Sequence, residues 1–151
     1  KHGIPIDSKF GGILQLKNGE PLRFVELIHY SGSSLDPSEI FIRGKMTSVK
    51  EVIEKNEGKI LANFREIPAL SRSLVTDVIA EFREAGINGI LSIGDVGTAL
   101  GQTNVDINKV GMILIGGLNP IAAAYEDGFD VENKAMSTVM EFEELQSIEQ
   151  I

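Results

Sequence analysis

The sequence predicts an α/β domain: a mixed sheet around a βαβ unit, with flanking helices and a weak internal repeat. Three observations carry this reading. Residues 110–115 (VGMILI) form a continuous apolar run, the pattern of a strand buried on both faces. Gly116 and Gly117 break the run, Asn119 stands at a helix cap position and Pro120 at the first helical position, so a strand passes through a glycine turn into a helix. Upstream, a strand at 59–65 (KILANFR), a helix at 69–85 and a strand at 87–93 (INGILSI) make a strand–helix–strand unit of about 35 residues, the length of a right-handed parallel crossover.

Taken in order, residues 10–16 (FGGILQL) read as a strand, and Asn18-Gly19 marks a turn. Residues 22–30 (LRFVELIHY) alternate for most of their length and read as a second strand, antiparallel to the first. Asp36 is a cap candidate for a short helical or irregular stretch to Arg43. Thr47 or Ser48 caps a second short helix through Val49, Val52 and Ile53, which Asn56-Glu57-Gly58 ends. Pro68 opens the longest helix, with Leu70, Leu74, Val78 and Phe82 at helical spacing and Gly86 just past its end. Residues 94–108 are a glycine-punctuated loop. The helix at 121–126 stops at Gly128, and a final strand is expected at 134–142 before an acidic tail. The internal repeat pairs 6–13 with 105–113, puts Pro21 beside Pro120, and lets MTSV at 46–49 echo MSTV at 136–139.

The chain has 151 residues, 22 acids against 14 bases, a net charge of −8 and no cysteine. The length allows one domain with a proper core. The absence of cysteine excludes disulfides and thiolate metal sites and fits a reducing, cytoplasmic setting. No apolar run has the length of a membrane span, and the N-terminus has no signal-peptide core. The acidic balance argues against this segment gripping a phosphate backbone by itself. Lys1 opens the chain in mid-stride, so a piece of a longer protein is expected.

Catalytic chemistry is poorly represented. There is no G-x-S-x-G elbow, His2 and His29 are isolated, and neither an H-E-x-x-H nor a calcium loop occurs, so no enzyme and no metal are expected. The loop GDVGTALG at 94–101 follows a strand but lacks the P-loop lysine and the dinucleotide glycine spacing. It reads as a shaped loop beside a ligand or as a structural loop. The turn at Gly116-Gly117 leads free N–H groups and a partial positive charge toward one spot, suited to a carboxylate or phosphate. Tight strand-to-helix packing explains the same glycines. Arg65, in FREIP, stands where a strand meets the long helix and offers a bidentate carboxylate partner, or else an ion pair with Glu66 or Asp95. Ser71, Arg72 and Ser73 supply further donors or simply solvate the helix start, with a solvated role favoured for Arg72.

The segments FGGIL, LDPSEIFIRGKMTSV, ANFREIPALSR, GILSIG, VGMILIGGLNPIAAAYEDG and KAMSTVMEFEEL, in this order, resemble the regulatory domain of the archaeal nitrogen-regulatory repressors, the NrpR family of methanogens. FREIPA and GGLNPIAA are the most specific parts, and the resemblance covers nearly the whole chain. It implies a transcriptional repressor of nitrogen-assimilation genes. In that family a winged-helix domain binds operator DNA, the regulatory domain senses 2-oxoglutarate and so relieves repression, and the proteins assemble at least as dimers with one or two regulatory domains. No basic recognition helix is present here, so residues 1–151 are expected to be a single regulatory domain, or a fragment of one, without the winged helix. 2-Oxoglutarate needs a fixed cation, a helix N-terminus and one or two further donors. Arg65 is expected at one carboxylate, the N–H groups of Gly116, Gly117, Asn119 and Ile121 at the other, and Thr98 or Asn119 at the keto oxygen. A pure dimerisation scaffold is the alternative, and an enzyme acting on a small 2-oxo acid a weaker one.

Overall fold

The structure, a computed structural model, describes residues 2–31, 37–132, 141–144 and 146. A hairpin of β1 (Asp7–Lys17) and β2 (Glu20–His29) turns at Asn18 and Gly19, whose φ values of 53° and 77° suit the two-residue turn that follows strand twist. Two short helices follow, α1 (Pro37–Arg43) and α2 (Val49–Lys55), and Asn56 closes α2 in the left-handed region. Then come β3 (Gly58–Pro68), a 3-10 turn at Ala69–Ser71, α3 (Arg72–Glu84), the short edge strand β4 (Ile90–Ile93), β5 (Lys109–Ile115) and α4 (Asn119–Glu126). Asp36 and most of the expected strand at 134–142 lie outside the described residues.

The strands form one sheet in the order β2-β1-β3-β5-β4. The α/β class holds, and so does the strand–helix–strand unit from β3 through α3 to β4. That unit is split. β3 and β4 run in the same direction, but β5 lies between them and pairs antiparallel with both, so all four hydrogen-bonded pairings are antiparallel in place of the mixed set expected. The loop 94–108 is long enough to bring β5 back into the gap, and a seven-residue, largely buried strand makes a better central strand than the four residues of β4. The sheet coils enough that its two edges, β2 and β4, approach one another.

The repeated segments 6–13 and 105–113 flank β3 on either side, as parts of β1 and β5 and the residues that lead into them. Beyond them the likeness ends: Pro21 lies in a strand and Pro120 in a helix. The 136–139 echo is outside the described residues.

Register decides which residues share a face. Directly opposed pairs point the same way. Phe10 faces Phe64, which faces Ile113, and these join Phe24 in an aromatic and aliphatic core in which Phe10 and Phe64 stack 5.3 Å apart. The opposite face of β3 and β5 carries Ile67, Val110, Met112 and Leu114, packed against Val75 and Ile79 of α3. The expected core stripe of α3 is therefore rotated. Leu70 is 99 % exposed and Leu74 41 % exposed, while Val75 and Ile79 are buried. The 3-10 turn delays the helix by three residues and shifts its phase. Ile53 of α2 is 74 % exposed, while Val49 is buried.

Candidate functional site

β3 is the strand on which the candidate site is built, and its two halves behave differently. Near its start, β3 extends past the end of β5, which would leave backbone groups on that edge unpaired. Asn119 satisfies them. Its amide oxygen accepts from Leu61 N at 2.8 Å, and its amide nitrogen donates to Leu61 O and Gly116 O, both at 2.9 Å. Gly116 N also donates to Leu61 O at 2.8 Å. One step along, Ser48 N donates to Lys59 O, and the Ser48 hydroxyl accepts from Lys59 N. Asn119 thus acts as a one-residue continuation of β5.

This removes Asn119 from the expected ligand set. It is 5 % exposed, and its amide is committed to the backbone. Nor is it the helix cap, since it forms the first helical residue and Leu118 occupies the cap position. Gly116 is likewise structural: a Cβ there would lie 2.7 Å from that of Leu61 and 2.9 Å from its backbone. Ile121 packs against the main core.

A carboxylate of the protein itself stands at the N-terminus of α2. The Glu126 carboxylate, from the last turn of α4, accepts from the Thr47 hydroxyl at 2.8 Å, Val49 N at 2.7 Å and Lys50 N at 3.1 Å. Neither Thr47 nor Ser48 caps α2 in the expected manner; a residue from another helix does so. Lys50 pairs with Asp127 beside it.

The second half of β3 carries Asn63 and Arg65 on one face, opposite Leu114 and Met112 of β5. They open into a cleft of about 370 Å³, walled by Phe82 of α3, Ile87, Ile90, Leu114 and Ile115, with Gly117 at its far end. Arg65 lies within the strand rather than at its carboxyl end, because β3 continues to Pro68. The Arg65 Nε is buried without a hydrogen-bond partner. Among the described residues it makes neither of the ion pairs considered from sequence; it is Arg72 that binds Asp95, at 2.9 Å, and also donates to Gly94 O. Arg72 is therefore a clasp on the start of the 94–108 loop rather than a solvated cation. Among the described residues no Asp or Glu lines the cleft. The backbone N–H groups of Gly117 and Leu118, at the start of α4, have no acceptor among the described residues. An apolar cleft with a few converging polar groups and one unpaired cation is the form taken by small-anion sites.

Thr98 is elsewhere. Gly97 N donates to Lys109 O, which places Thr98 beside the start of β5, whereas the cleft lies at its end. At a strand rise of about 3.3 Å per residue, Lys109 and Leu114 are roughly 16 Å apart. The Thr98 hydroxyl donates to Val96 O in a local turn. The other end of this loop is tied down by charge. Lys9 Nζ lies 2.9 Å from Asp7, 3.2 Å from the buried Glu66 and 3.5 Å from Asp106. The hydrogen bond to Asp7, and then that to Glu66, hold the Lys9 amine above its ordinary range against the opposing effect of burial. A larger depression of about 750 Å³ lies between the β1–β2 hairpin and the start of α2, but its Lys17, Lys45 and Lys59 are balanced by Glu26, Glu51 and Glu57. It has no charge preference comparable to that of Arg65.

Asn63 is the cleft residue that sequence reasoning did not reach. The available signal was the period of two from Arg65 within one strand, which places both on the same face. Among the described residues no helix is long and apolar enough to cross a membrane.

Residues 1–147 match the family described as NrpR regulatory domains NRD1 and 2. Over 148 residues the chain is 38 % identical to the global nitrogen regulator NrpRI of Methanosarcina mazei, covering 98 % of this chain and 46 % of that protein. Over 151 residues it is 32 % identical to the global nitrogen regulator NrpR of Methanocaldococcus jannaschii, covering 100 % of this chain and 26 % of the relative. Among solved structures, the crystal structure of a nitrogen repressor-like protein from Methanococcus jannaschii superposes with a TM-score of 0.72 at 32 % identity, over 96 % of this chain and 60 % of that one. The chain spans less than half the length of these curated relatives.

Proposed function

Since the chain belongs to the NrpR regulatory-domain family, we propose that it is the effector-sensing part of a repressor of nitrogen-assimilation genes and that its effector is 2-oxoglutarate, bound in the Arg65 cleft. The observation that carries the reading is the Arg65 guanidinium, whose Nε is buried without a partner in a mostly apolar cleft. A buried donor left without an acceptor costs about 1–3 kcal/mol, and an incoming carboxylate relieves that cost. Arg65 takes one carboxylate. The N–H groups of Gly117 and Leu118, with the positive end of α4, take the other. Operator binding belongs to a winged-helix domain outside this sequence, and assembly at least as a dimer belongs to the same reading. The exposed Leu70, Val96 and Ile107, gathered where Ala69 N meets Asn108 O, offer an apolar surface for that assembly.

In this reading the effector binds one arrangement of the repressor better than the other and draws the population away from the DNA-binding form. A ten- to hundredfold change in operator affinity corresponds to about 1.4–3 kcal/mol of coupling. Calorimetric titration with 2-oxoglutarate, with L-glutamate and succinate as controls, tests the proposal. Saturable binding selective for the keto acid, lost in Arg65→Met, is the expected result. Equal heats for all three ligands, or binding unaffected by Arg65→Met, would favour a scaffold whose effector binds elsewhere.

A further inference from the structure

Asn63 stands between the two anion-holding ends of the cleft. It is two residues before Arg65 on β3, about 6.6 Å along the strand, and opposite Leu114, three residues before Gly117. It is half-buried and lines the cleft. Its amide is engaged by no described residue, in contrast to that of Asn119. A free amide between two anion-binding ends faces the middle of a short dicarboxylate, where its Nδ2–H groups donate and its oxygen accepts. Among the described residues that line it, the cleft has one cation and no carboxylate, and Gly117 leads from it into α4. An ammonium at the ligand's second carbon would therefore be buried next to Arg65 with no counter-charge, whereas an oxo group there only requires a donor.

We propose that Asn63 determines specificity at this site: its Nδ2–H donates to the 2-oxo oxygen, and in a cleft with no acidic residue among the described ones that line it, Asn63 makes the site one for 2-oxo dicarboxylates, excluding their 2-amino counterparts. This rests on the reading of the Arg65 cleft as the effector site. The test compares three ligands, 2-oxoglutarate, glutarate (the same chain without the oxo group) and L-glutamate, on the full chain and on Asn63→Leu and Asn63→Asp, with thermal unfolding of each variant as a check on folding. The wild type should prefer 2-oxoglutarate over glutarate by about tenfold or more, the effect of one buried hydrogen bond to a ligand oxygen. Asn63→Leu should bring that ratio close to one while leaving glutarate affinity nearly unchanged. Asn63→Asp should weaken 2-oxoglutarate at least as much and raise L-glutamate affinity, inverting the preference. If folded Asn63→Leu keeps the wild-type ratio while Arg65→Met abolishes binding, the role of Asn63 is overturned and the cleft reading stands. If the wild type binds none of the three, or Arg65→Met binds as well as the wild type, the cleft reading fails and the Asn63 assignment with it.

Discussion

The two halves of β3 differ in how far their polar groups are satisfied. At residues 59–61 each exposed backbone group has a partner, supplied by Ser48, Asn119 and Gly116. At residues 63–65 the side chains of Asn63 and Arg65 face a cleft with no such partners. The same strand is thus a closed structural joint at one end and an open, chemically unsatisfied surface at the other. Polar groups whose partners are all internal hold the strand in place, whereas a buried donor without one carries a desolvation cost that a bound acceptor would relieve.

The largest effect expected is at the joint. Asn119→Leu strips acceptors and donors from Leu61 and Gly116 and should destabilise the protein by about 3 kcal/mol, read by denaturant unfolding, with ligand affinity falling only as folding does. Gly116→Ala forces a methyl group against Leu61 and should cost about 2 kcal/mol in the same assay. Glu126→Ala removes the trans cap of α2 and should cost about 1–2 kcal/mol, seen also as faster amide exchange at Val49 and Lys50. Arg65→Met should reverse this pattern: no loss of stability, and a gain of up to about 1–3 kcal/mol, since an unsatisfied buried donor is removed and no internal partner is lost, with a loss of about tenfold or more in 2-oxoglutarate affinity. Thr98→Ala should leave both quantities unchanged within about 0.5 kcal/mol, because its hydroxyl serves only a local turn. A loss of ligand binding in Thr98→Ala with Arg65→Met unaffected would move the site to the start of β5 and reverse the comparison.

The Lys9 cluster gives a separate check on pH. A lysine raised in the folded state contributes stability that is present below the ordinary lysine range and lost as pH climbs through and above it. Lys9→Met should therefore lower stability across the neutral region and flatten the alkaline limb of the profile, where the two proteins converge, with the loop 94–108 loosened near Asp106.

By itself the sequence determined the elements whose signals are local. The Asn18-Gly19 hairpin, the apolar run of β5, the stop at Gly86 and the strand–helix–strand unit all follow from turn chemistry and from periods of two or 3.6, and they stand in the structure. The family resemblance was also legible, through FREIPA and GGLNPIAA. Of the residues that line the cleft, Arg65 and Gly117 were legible in the sequence, because a cation in a strand and a glycine before a helix each have a local reason to be noticed.

What only the tertiary structure decided is where non-local partners fall. Asn119 has a cap residue's chemistry, but its actual partner is 58 residues away in the sequence, and no spacing rule reveals an edge of β3 left bare by a shorter neighbour. Glu126 caps a helix that ends seventy-one residues before it. Thr98 and Gly117 both adjoin β5 but at opposite ends, and β5 itself enters between β3 and β4, which sequence order would have paired. Each outcome depends on the return path of a loop and the register of one strand against another, which are settled by packing the whole chain at once and not by any window of it.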